Sequence, residues 1–122
     1  MRKVIWFSRH EPTPAQVSDM GQTDAPEAVR LIKLTDLASK TLDSDEDVDS
    51  VMDAIREHRA DAVYGVFPPA IQSEITRESM ALAQDFGPHT HFHGAWNVNR
   101  AEEGERPSFE HLRFVVVGCI RR

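Results

Sequence analysis

The apolar positions of this chain fall into two rhythms that alternate from one end to the other. Val4–Phe7, after Lys3, is apolar without a break, the pattern of a strand covered on both faces. Thr13 then fits an N-cap, Pro14 the first helical position and Gln16 the third, which is a capping box. The helix it opens is expected to be short, because Gly21 and Pro26 interrupt the chain soon afterwards. Val29–Leu34 reads as a second strand. Ser44 caps a helix from about Asp45 to Arg59, with Val48, Val51, Met52 and Ile55 as its apolar stripe. Ala62–Phe67 is a third strand, stopped by Pro68-Pro69. Pro69 begins a helix to about Asp85 with Ile71, Ile75, Leu82 and Phe86 on one face, ended by Gly87-Pro88. His89–Val98 and Leu112–Ile120 are the last strands, and Arg100–Ser108 is an exposed connection between them.

The order β-α-β-α-β-α-β-loop-β predicts an α/β protein: a compact Rossmann-like or flavodoxin-like domain with a mainly parallel sheet of about five strands. Helices are expected on both faces, and the final pair, joined by a loop and no helix, brings in an antiparallel last strand. A chain of 122 residues forms one domain, residues 1–122, long enough to bury a core without staples. Its 40% apolar and 28% charged content is that of a globular chain rather than a disordered one.

The net charge of −6 argues against a coat on long nucleic acid. Its distribution leaves room for a local anion site. Asp43, Asp45, Glu46, Asp47, Asp49 and Asp53 crowd one helix start, and outside this cluster acids and bases are equal in number. That cluster reads as a solvated helix N-terminus matched by Arg56, His58 and Arg59 at the other end. A single cysteine, Cys119, forms no internal disulfide and reads as an inert residue of a buried strand. The opening apolar stretch is too short for a signal peptide and no run is long enough to span a membrane, so a cytoplasmic protein with no membrane partner is expected.

Ligands of open α/β sheets bind beyond the carboxyl ends of the strands, where strand order reverses. Ser8, Arg9 and His10 stand there if the first strand ends at Phe7. The helix start near Thr13 adds backbone N–H groups and positive dipole, which suit a phosphate. Arg9 can bind that phosphate bidentately, His10 can donate a hydrogen bond or move a proton, and Ser8 or Thr13 can offer hydroxyls. Ser8, Arg9 and His10 are therefore the candidate catalytic residues, and the same three with Thr13 the candidate ligand-binding set. Capping alone also accounts for Thr13 and Gln16. No glycine-rich dinucleotide or P-loop motif and no nucleophile elbow is present. His89, His91 and His93 share one face of a strand, a spacing that offers a metal-binding alternative; no cofactor is otherwise called for. His111 is expected at the surface, and Trp6 and Trp96 in the core or a dimer interface.

The segment in which Ser8, His10, Thr13 and Gln16 come after the first strand resembles small stand-alone CRISPR-associated proteins with a Rossmann-like, CARF-type fold, which often carry S-(x)-H-x-x-T-x-x-Q at this place. The ending Phe109-Glu110-His111-Leu112 before a terminal apolar strand is similar too. The resemblance implies a homodimer that binds cyclic oligoadenylate, the second messenger of type III CRISPR systems. It further implies a ring-nuclease enzyme in which, without metal, a ribose 2′-hydroxyl attacks the adjacent phosphorus and leaves a 2′,3′-cyclic phosphate. A symmetric ligand on a two-fold axis would receive one Ser8-Arg9-His10 set from each subunit.

Three other readings stay beside it. One is a sensor module that binds a nucleotide without cutting it, and another a metal-dependent hydrolase built on the histidine row. The third is a histidine phosphatase of the phosphoglycerate mutase type, which Arg9-His10 and Thr13 resemble, although Glu11 stands where that family needs glycine.

Overall fold

The computed structural model describes residues 2–23, 29–82 and 87–122. In chain order the elements are β1 (Arg2–Phe7), α1 (Pro14–Thr23), β2 (Val29–Lys33), α2 (Thr35–Ala38), α3 (Asp45–Glu57), β3 (Ala62–Gly65), α4 (Pro69–Ala81), β4 (His89–Asn99) and β5 (Phe109–Arg121). The short α2 has no counterpart in the sequence pattern; Leu37 and Ala38 give it a side that packs against the core. Helix α1 passes through Gly21, and α4 ends at Ala81, before the predicted Asp85. Pro26 and Phe86 lie outside the described residues.

The strands form one five-stranded mixed sheet in the order β2-β1-β3-β4-β5. The first four strands are parallel and β5 runs antiparallel to β4. The reversed β5 separates this sheet from an all-parallel flavodoxin-like one. Its cause is the short, helix-free connection, which allows a hairpin but not a crossover. The hairpin closes further out than the sequence predicts because Asn99 Oδ1 accepts from the N–H groups of both Ala101 and Ser108, each at 3.0 Å. Gly104, with φ of 85°, supplies the left-handed residue of its loop.

Chain order and handedness then distribute the helices. The first crossover steps one way along the sheet and the next two step the other way. Right-handed connections therefore put α1 on one face and α3 and α4 on the other. On the second face Ile5, Phe7, Val63, Phe92 and Ile120 of the sheet meet Val51, Met52 and Ile55 of α3 and Ile71 and Ile75 of α4. Burying each such side chain contributes about 1.5–3 kcal/mol. On the first face Met20 of α1 meets Val4, Trp6, Ala62 and Tyr64. Of the predicted stripe of α3, Val51, Met52 and Ile55 are buried and Val48 is partly buried against the same core, and Ser44 caps the helix by accepting from the Asp47 N–H at 3.2 Å.

Two close approaches set the sheet's geometry. Gly65 pairs with Phe7, and a Cβ there would fall on the Phe7 carbonyl oxygen, so the ends of β1 and β3 meet backbone to backbone. Ser79 of α4 accepts from the Cys119 N–H at 2.7 Å and donates to its carbonyl at 2.9 Å, which docks the helix on β5 at Gly118. Among the described residues no helix is long and apolar enough to cross a membrane.

Candidate functional site

β1 and β3 are the neighbours from which the crossovers diverge, so the crevice beyond their carboxyl ends is the topological switch point of this sheet. The turn that leaves β1 is held from inside. Trp6, buried under α1, donates from Nε1 to the His10 carbonyl at 2.6 Å. Ser8, only 6% exposed, accepts from the His10 N–H at 3.3 Å. With the backbone so anchored, the side chains of Arg9 and His10 stand exposed at the crevice.

The capping box forms as predicted. Gln16 N–H donates to Thr13 Oγ1 at 3.2 Å, and Thr13 N–H donates to Gln16 Oε1 at 2.9 Å. This narrows the anion site expected at the helix start, since Pro14 has no N–H and that of Gln16 is taken. Glu11, next to His10, pairs with Lys33 across to β2 at 2.5 Å, so its charge is balanced locally. Arg9 has no ion-pair partner among the described residues.

Two pockets open at this crevice and share a wall. One, of about 300 Å³, is lined by Ser8, Arg9, His10, Ala38, Val66 and Pro68. The other, of about 270 Å³, is lined by Ser8, His10, Thr13 and Gln16 from the turn and α1, with Trp6 and Glu11, and by Val66, Asn97, Phe109 and His111 from the other side. The fold thus brings together Ser8, Arg9, His10 and Thr13. Ser8 and His10 stand between the two pockets, Arg9 on one side and Thr13 on the other.

His111 is not the surface residue expected from sequence. Its side chain is 5% exposed, because α1 packs over β5, and its Nε2 lies 2.9 Å from Asp19 Oδ2 on α1. Its ring rests on Phe114, centroids 4.7 Å apart. Nδ1 of the same ring is buried with no hydrogen-bond partner among the described residues. Nothing in the local sequence singles out Asp19; the one signal is its position between buried Gln16 and Met20, on the inward side of α1.

The histidine row lies on one face of β4, as the spacing predicts, while Thr90, Phe92 and Gly94 point to the other face and are buried. The His93 ring stacks on Tyr64 at 4.4 Å, and the His89 and His91 rings are 6.4 Å apart. Among the described residues no three His, Cys, Asp or Glu side chains are placed to hold a metal ion. Trp6 is core, but Trp96 is 46% exposed, with the Arg113 guanidinium 4.6 Å above its ring. Cys119 is a partly buried free thiol.

Comparison with protein-family models, with curated proteins and with solved structures finds no match to this chain.

Proposed function

We propose that the β1/β3 crevice binds a phosphate-bearing nucleotide, that this ligand is cyclic oligoadenylate, and that the protein is a ring nuclease of the Rossmann-like, CARF type. The observation that carries the reading is the shared wall: Ser8 and His10 divide a pocket holding the unpaired Arg9 from one lined by Asn97, Phe109 and His111. A guanidinium suits a phosphate. An exposed aromatic ring and an amide suit a base, by stacking and by paired hydrogen bonds. A nucleotide needs both, side by side.

Cleavage needs only correct positioning. The ribose 2′-oxygen forms a bond to the adjacent phosphorus, the bond from phosphorus to the 5′-oxygen breaks, and the products are a 2′,3′-cyclic phosphate and a 5′-hydroxyl. Arg9 stabilises the charge on the phosphoryl oxygens, and His10 serves the proton transfers. A two-fold ligand calls for a homodimer. Exposed Phe109, Leu112, Val115 and Val116 on the free edge of β5 favour association, and Phe109 also lines the site.

The test is incubation with cyclic tetra- or hexa-adenylate in EDTA, followed by chromatography. Turnover should survive the chelator, fall at least about tenfold in Arg9→Ala and fall about 100-fold or more in His10→Ala. A sensor that binds without cutting is the second reading. The exposure of Arg9 and His10 favours it, since side chains held mainly by solvent are poorly pre-positioned for chemistry.

A further inference from the structure

Two residues of the β4–β5 hairpin have no part in holding the sheet together, and both line the same pocket. Asn97 is a residue type that strands disfavour, it is exposed, and its side-chain amide has no hydrogen-bond partner among the described residues. Two positions on, Asn99 shows what a structural asparagine does here: its Oδ1 accepts from the Ala101 and Ser108 N–H groups and closes the hairpin. Phe109 is 69% exposed at the start of β5. In the strand register Asn97 stands opposite His111 and Asn99 opposite Phe109, so Asn97 and Phe109 are diagonal neighbours on one face, about 7–8 Å apart. Both line the pocket that shares Ser8 and His10 with the Arg9 pocket.

We propose that these two residues divide the recognition of adenine: Phe109 stacks on the ring, and the Asn97 amide reads the 6-amino group. This rests on the reading of the crevice as a nucleotide site. Stacking is indifferent to ring substituents, because every base has a π face. The amide is selective. Its acceptor Oδ1 and donor Nδ2 lie side by side, and adenine presents the complement, an amino donor beside a ring-nitrogen acceptor. A purine that lacks the amino group leaves Oδ1 facing a C–H, stripped of water with no hydrogen bond in return. Affinity and selectivity are thereby separated, the first supplied by Phe109 for any base and the second by Asn97. Neither residue takes part in breaking a bond; together they fix where the base lies, and so where its phosphate meets Arg9.

Two rings test this: cyclic tetra-adenylate, and the same ring built from purine riboside, which differs only in lacking the 6-amino groups. Affinity is read by isothermal titration, or as KM where the ring is cut. The wild type should bind the adenine ring at least about fivefold tighter. Asn97→Ala should bring that ratio to about one and leave Tm unchanged, since the amide holds nothing within the protein. Phe109→Ala should weaken both rings by the same factor, about tenfold or more, with Phe109→Trp retaining binding and Phe109→Leu losing it. Equal binding of the two rings by the wild type, or a preference that survives in Asn97→Ala, overturns the role of Asn97 and leaves the nucleotide reading standing. Wild-type affinity in Phe109→Leu overturns the stacking role. If neither ring binds, the nucleotide reading falls and this inference with it.

Discussion

Trp6 and Ser8 bracket the turn after β1, one from the core and one from the crevice, and together they decide where Arg9 and His10 point. Trp6→Phe should keep most of the apolar contact while losing the bond to the His10 carbonyl. We expect it to lower Tm by only a few degrees yet weaken ligand binding about five- to tenfold, as read by isothermal titration. Asp61 works differently, as a fastener with no role in the site. Its carboxylate accepts from the Lys3 N–H at 2.8 Å and faces Arg122 at 3.0 Å; the first contact most of all, then the arginine charge, holds it below the usual aspartate range. A carboxylate so depressed adds stability above its unfolded value, near pH 4, and that contribution is lost as the pH falls through the lower folded value. Asp61→Asn should therefore lower Tm at pH 7 by about 4–6 °C and flatten the acid side of the stability curve. At this scale the sequence shows Ser8, Arg9 and His10 because they are adjacent. It hides Asp19 and His111, which lie 92 residues apart and meet only when α1 lies over β5.

At the scale of elements, the helix starts are written locally and are readable from the chain. The Thr13/Gln16 capping box and the Ser44 cap each need only residues within one turn. Thr13→Ala removes one half of the box and should cost about 1 kcal/mol, seen as a shift of the denaturation midpoint with the slope unchanged. Strand ends are set by partners instead, which is why β3 stops at Gly65 and β5 begins as early as Phe109. The contact of Gly65 with Phe7 leaves no room for a methyl group, so Gly65→Ala should destabilise by more than about 2 kcal/mol or fail to fold, as measured by circular dichroism. The reach of α1 over β5, and so the burial of His111, depends on long-range packing that no local pattern encodes.

At the scale of the molecule, crossover handedness explains why one face of the sheet carries α3 and α4 and the other only α1. The same asymmetry leaves His91 exposed beyond α1 and β5 with a free apolar edge. Association of two copies should give, by sedimentation equilibrium, twice the 13.8 kDa chain mass, and a strict monomer would rule out the two-fold site. The most direct trial of the ring-nuclease reading is one incubation of the purified protein with cyclic tetra- and hexa-adenylate in EDTA, beside Arg9→Ala. The wild type should yield a product ending in a 2′,3′-cyclic phosphate, and the variant at least about tenfold less of it. A wild-type protein that neither binds nor cuts either ring at high micromolar concentration would contradict that reading.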